Sequence, residues 1–262
     1  MHRLILLALL SATVTTSAQA PDSVFLEDFT WDEVRTMIAQ GTTTVVIPTG
    51  GTEQNGPHMA LGKHNVRVRY LADRVARQLG HALVAPVMAY VPEGAIDPPS
   101  GHMRFAGTIT LPDPVFQQVL EYAARSLRVH GFRDIVLIGD SGGNQTGQTV
   151  VAATLNAEWA ASPVRVHAIP DFYRGDQAGD FALLYARGFR PDETGNHADL
   201  VDTSKMLAIA PSMVRMPKAA AGTAENGIVG DPRRANADVG RLLLDRIVAR
   251  TVPLIQAAIA KR

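Results

Sequence analysis

Two stretches of this chain, Thr43 to Pro48 (TTVVIP) and Asp134 to Gly139 (DIVLIG), are runs of β-branched and aliphatic residues bounded by turn-forming neighbours. Such short, unalternating runs read as strands buried on both faces. Elsewhere the apolar spacing changes to that of a helix. Val68, Leu71, Ala72, Val75 and Leu79 form one stripe, closed by Gly80. Thr30-Trp31-Asp32-Glu33 has the form of a capping box, and Gly41 ends the helix it opens. Asp113-Pro114 starts a further helix that runs to about His130, before Gly131. Ala82 to Val91 and Val164 to Ile169 are strand-like, the former carrying Pro86, which points to an edge or a bulge. A long helix is predicted from Ala235 to about Ala260.

Strands that alternate with helices imply βαβ units: an α/β fold, three layers deep, with a mostly parallel sheet and helices on both faces. Ligands in such sheets bind beyond the carboxyl ends of the strands. The loops after the two clearest strands should therefore open on one edge. Both are rich in chemistry. After the first comes IPTGGTEQNGPHMALGKHN, Ile47 to Asn65; after the second, the glycine turn GDSGGN, Gly139 to Asn144. Pro92 to Gly107 is a long Gly/Pro-rich loop of the kind that covers a site.

Composition narrows the setting. The 262 residues are 46% hydrophobic and 19% charged with zero formal net charge, which fits one folded domain and gives no electrostatic footprint for nucleic acid or an anionic membrane. With no cysteine there is no disulfide framework, and any metal must be held by nitrogen and oxygen. Arg3, the apolar run Leu4 to Leu10 and the small-residue end Ser17-Ala18-Gln19-Ala20 have the form of an export signal. Cleavage after Ala20 would leave a chain of 21–262, exported and expected in the periplasm, with no membrane span once the signal is removed.

Five segments, in order, resemble the creatininase (creatinine amidohydrolase) family. GGTEQNGPHMALGKHN resembles that family's G-S/T-x-E-Q-H-G-P-H-L-P-x-x-T-D; FAGTITL, Phe105 to Leu111, resembles F-P-G-T-I/L-S/T-L; LIGDSGGN resembles the strand-plus-turn N-G-H-G-G-N. HADLVDTS, His197 to Ser204, resembles H-A-G-x-x-E-T-S, and GIVGDPRRANADVG, Gly227 to Gly240, resembles G-x-x-G-D-P-x-x-A-S/T-x-x-x-G. The resemblance implies an α/β/α metallohydrolase that opens non-peptide C–N bonds, often as a ring-shaped homo-oligomer, with a two-metal site. Its ligands would be the Glu and His of E-Q-H, the Asp of T-D and the His of N-G-H.

Carried over by position, Glu53 matches the glutamate, but Asn55 stands for the first histidine, His64 for the aspartate, Ser141 for the turn histidine, and Asp202 for the glutamate of E-T-S. Carboxylate and imidazole have in effect exchanged loops, since Asp140 stands beside the lost turn histidine. The expectation is a single divalent ion, zinc, manganese or iron, on Glu53, His64 and Asp140. Asn55 or His58 would then donate to a developing oxyanion, and His197 or Asp202 would pass a proton to the leaving nitrogen. His102 and Ser141 are the candidate substrate contacts.

Each residue also has a plainer use. Glu53 and Asp140 can accept turn amides, His58 can support a neighbour, and His64 can cap the helix that follows. Gly139-Asp140-Ser141-Gly142-Gly143 also satisfies the spacing of a serine-nucleophile elbow between strand and helix. The leading expectation is a metal-dependent hydrolase of a small, non-peptide amide. The alternatives are a metal-free serine hydrolase using Ser141 and an inactive exported relative that binds a small ligand.

Overall fold

The computed structural model describes residues 21–261, so the expected leader lies outside the described residues. Its centre is a four-stranded, wholly parallel sheet in the order β2-β1-β3-β4, built from β1 (Thr44–Thr49), β2 (Ala82–Val84), β3 (Asp134–Gly139) and β4 (Arg165–Ala168). Successive side chains of a strand point to opposite faces, and each face is apolar here. Val45, Ile47, Ile135 and Leu137 meet Phe116 and Leu120 of α3 (Asp113–Val129) and Val151 and Leu155 of α4 (Asn144–Glu158). On the other face Val46, Val136 and Ile138 meet Val68, Leu71 and Val75 of α2 (Lys63–Leu79) and Leu244, Ile247 and Val248 of α8 (Ala237–Ala260). Three layers result, as the strand–helix alternation requires.

Local signals hold closely. Thr30 and Glu33 form the reciprocal capping box of α1 (Trp31–Ala39), and Gly80 ends α2 in the left-handed conformation, φ 79°. One expected strand is shorter than its sequence: pairing stops at Val84 rather than Val91. Pro86 supplies no N–H, and contact resumes only through Met88, whose amide donates to the Pro48 carbonyl at 3.0 Å.

The register places the site. Thr49 pairs with Gly139 at the carboxyl ends of β1 and β3, and the Asp140 amide donates to the Thr49 carbonyl at 3.0 Å. The two polar loops thus leave the sheet side by side. Three short helices, α5 (Asp171–Arg174), α6 (Gln177–Tyr185) and α7 (Leu200–Ile209), close the same edge, with α7 packed along α8. Among the described residues no helix is long and apolar enough to cross a membrane.

Candidate functional site

The loop after β1 runs directly into α2, whose first two turns carry Lys63, His64 and Arg67, all buried. Cations there oppose the positive end of the helix dipole and lose their hydration. Three carboxylates offset this: Glu53 from the same loop and, from distant segments, Asp140 at the end of β3 and Asp202 on α7. The six side chains form a closed ring in which each carboxylate stands between two nitrogen-bearing side chains. Glu53 Oε1 lies 2.7 Å from His64 Nε2, and His64 Nδ1 lies 2.8 Å from Asp140 Oδ2. Arg67 Nε donates to both Asp140 oxygens at 3.0 and 2.8 Å, and Arg67 Nη1 donates to Asp202 Oδ1 at 2.6 Å. Lys63 Nζ donates to Asp202 Oδ2 at 2.8 Å and lies 3.7 Å from Glu53 Oε1, which completes the circuit.

The ring fixes the charges. For all three acids burial opposes ionisation, and neighbouring cations outweigh it. His64 and Lys63 hold Glu53 well below the usual carboxylate range; Arg67 and His64 lower Asp140; Lys63 and Arg67 hold Asp202 far down. Arg67, although buried, is pushed further up by Asp140 and Asp202.

Glu53 also forms the floor of an open cleft of about 840 Å³, walled by Glu93, His102, Ser141, Tyr173, Arg174 and His197 among others. His102 Nε2 lies 3.2 Å from Glu53 Oε2, and His197 Nδ1 lies 3.5 Å from Glu53 Oε1. The two imidazoles are neighbours, with ring centroids 4.4 Å apart. His197 Nε2 donates to the Gln54 carbonyl at 2.8 Å, which leaves Nδ1 with its lone pair toward Glu53. Burial, and then the charge of Lys63, lowers the His197 pKa to about 3; burial lowers that of His102. Both rings are therefore neutral at physiological pH. Glu93 is the opposite of Glu53: burial and its hydrogen bond to Glu53 raise its pKa to about 10, so it holds its proton. Gly51, at φ 153°, makes room for it, because a Cβ there would stand 2.3 Å from Glu93 Oε1.

Among the described residues, Glu53, His102 and His197 form the one His-and-carboxylate group able to hold a metal, with donor atoms within 4.8 Å of one another. A carboxylate with two neutral imidazoles suits zinc, manganese or iron. His197 already presents the required lone pair. His102 receives Gln54 Nε2 on Nδ1 at 3.1 Å, so ligation through Nε2 requires the Gln54 amide to turn over.

This corrects the ligand set expected from sequence. Glu53, His64 and Asp140 do come together, but His64 lies between the two carboxylates, one ring nitrogen to each, and Arg67 takes both oxygens of Asp140. The three do not aim at a common point. Asn55 is not an oxyanion donor either: it is fully buried, and its Nδ2 donates to the carbonyls of Glu53 and Ala60 at 2.9 and 3.2 Å. His58 is buried on Thr203 Oγ1 at 2.9 Å and supports α7 from below. Asp202 is committed to the ring and does not wall the cleft. His102, His197 and Ser141 all face the cleft. The Ser141 hydroxyl lies by Glu93 and, among the described residues, has no histidine partner of the kind a nucleophile needs.

Sequence reasoning missed Lys63, Arg67, Gln54 and Glu93. A helix start with three basic residues and no acid, GKHNVR, was the available signal for the first two.

A family model described as creatininase, creatinine amidohydrolase, matches residues 27–255. The chain belongs to the creatininase family. It is 28% identical over 204 residues to the creatinine amidohydrolase of Pseudomonas putida, covering 75% of each chain. It is also 28% identical over 234 residues to the mycofactocin precursor peptide peptidase of Mycobacterium tuberculosis, covering 78% of this chain and 81% of that one. The solved structure described as creatininase Mn is similar over 90% of this chain and 99% of its own, with 25% identity and a TM-score of 0.76. Creatininase-family proteins are amidohydrolases, and this chain shares their fold.

Proposed function

We propose that this protein hydrolyses the C–N bond of a small amide bound in the cleft over Glu53, with one divalent ion, zinc, manganese or iron, on Glu53, His102 and His197. The observation that carries the reading is the convergence of those three donor groups on the cleft, with Glu53 ionised and both imidazoles neutral. When bound, such an ion supplies Lewis-acid chemistry at neutral pH.

The chain's own groups divide the remaining work. Gln54 orients both imidazoles, one through its carbonyl and one through its amide. Glu93 holds a proton at the cleft wall beside Glu53 and can donate it to the leaving nitrogen. Arg174 and Ser141 add donors to the walls. The relatives act on creatinine and on a precursor peptide, by name. A cleft of about 840 Å³ falls in the size range of small-molecule sites, which favours the first kind of substrate.

The test is a panel of small linear and cyclic amides assayed for product release, with elemental analysis of the same preparation. About one ion per chain is expected, lost from His102→Ala and His197→Ala together with turnover. Turnover that persists in protein stripped of metal would sink the metal reading. One ion per chain with no turnover on any amide would favour a binding role. The export reading is proposed alongside, from the leader-like start of the chain; fractionation that leaves the protein in the cytoplasm with Met1 intact would remove it. Homo-oligomerisation is proposed from the family resemblance, and a monomer by light scattering would count against it.

A further inference from the structure

The ring raises a question that the proposed activity does not answer. Three carboxylates, Glu53, Asp140 and Asp202, are drawn together in a buried place next to the cleft, and nothing in amide hydrolysis requires Asp140 or Asp202 to be there. Buried acids brought this close need positive charge between them. That charge comes from the chain. Lys63 Nζ stands between Glu53 and Asp202, at 3.7 and 2.8 Å, and is wholly shielded from solvent. Arg67 stands between Asp140 and Asp202 in the same way. An ammonium nitrogen bridging two carboxylates takes the place and charge of a small cation coordinated by oxygen, and it keeps an ion out by repulsion as well as by volume.

We infer that Lys63 is a built-in counter-ion that fills a second, latent cation site formed by Glu53 and Asp202 beside the cleft. The inference rests on the one-ion reading only in counting the added ion as the second. Lysine suits the role because its charge is compact and its stem is long enough to reach from the start of α2 through the buried layer. Removal of the side chain beyond Cβ leaves the Glu53 and Asp202 carboxylates facing the vacated space. Carboxylate oxygens, completed by water, are ligands that zinc accepts.

The experiment compares wild type, Lys63→Ala and Lys63→Met, each equilibrated with zinc chloride alone, dialysed and analysed for zinc per chain, with thermal midpoints recorded with and without zinc. Lys63→Ala should gain about one zinc over wild type and melt higher with zinc than without. Lys63→Met, which refills the volume with an apolar chain, should gain none. Should Lys63→Ala fail to fold alone, refolding with zinc should recover it. Two zinc ions on wild type, no gain in Lys63→Ala, an equal gain in Lys63→Met, or no recovery of an unfolded variant by zinc would each overturn the inference. A wild type with no zinc and a Lys63→Ala variant with one would overturn only the one-ion reading above, and would leave the latent site in place.

Discussion

Replacing Glu93 by glutamine should change how the stability of the metal-stripped protein depends on pH. Glu93 is 5% exposed, its Oε1 has no hydrogen-bond partner, and burial with the bond to Glu53 raises its pKa to about 10. In the unfolded chain a glutamate ionises near about 4.3. Between these values the folded protein holds a proton that the unfolded chain has released. Stability therefore falls as pH rises through that window, by about 1.4 kcal/mol per unit. The glutamine amide stays neutral throughout. From pH 6 to pH 8 the wild type should thus lose about 2.7 kcal/mol relative to Glu93→Gln. Lys205, lowered by burial to about 8, and Asp199, raised by burial to about 6, also titrate nearby, but they are shared and cancel in the difference. Urea unfolding of both proteins with chelator at pH 6, 7 and 8 gives the comparison. A gap that widens in favour of the variant at about this slope is the expected result. Parallel stabilities across the range would mean that Glu93 is ionised in the fold, and the proton-holding role assigned to it would go.

Four further outcomes are expected. Arg67→Met leaves Asp140 and Asp202 without their shared donor in a buried setting, and should cost about 3–5 kcal/mol by chemical denaturation; a loss below about 1 kcal/mol would mean that the ring is solvated. Asn55→Ala removes the donor to the carbonyl of buried Glu53 and should destabilise by about 1–3 kcal/mol. Normal stability in that variant, with turnover abolished, would restore Asn55 to the chemistry. Gly51→Ala drives a methyl group against Glu93 Oε1 and should lower the melting temperature and turnover together, whereas Gly188→Ala, strained at φ 82° but with nothing within 4 Å of its Cβ, should lower the melting temperature alone. Ser141→Ala should reduce kcat less than about tenfold, because no histidine among the described residues activates the hydroxyl; a loss of about a thousandfold or more would revive the serine mechanism.

The elements of this protein were legible because their signals are local. Glycine at 80 and 131, the capping box at Thr30 and the unalternating strands each act over a few residues. The order of strands and loops then put Glu53 and Asp140 on one edge, and the pairing of His64 with Asp140 followed. Pro86 was read as a sign of an edge or a bulge; β2 is indeed an edge strand, but its pairing stops at Val84 rather than running on to Val91.

What the site does with those residues was decided by contacts between segments far apart in sequence. Lys63 and Arg67 look like a solvated helix face when read alone, since basic residues at helical spacing usually are. Only the arrival of Asp202, on a helix more than a hundred residues away, makes them buried counter-ions. The same holds for the metal candidates. His102 lies in a loop with no periodicity, and nothing near it in the sequence says which carboxylate it will meet; the fold sets it beside His197, nearly a hundred residues on. Residue types along the chain determined which charges were present. Burial determined which of them had to pair, because an uncompensated charge inside the fold is too costly to persist.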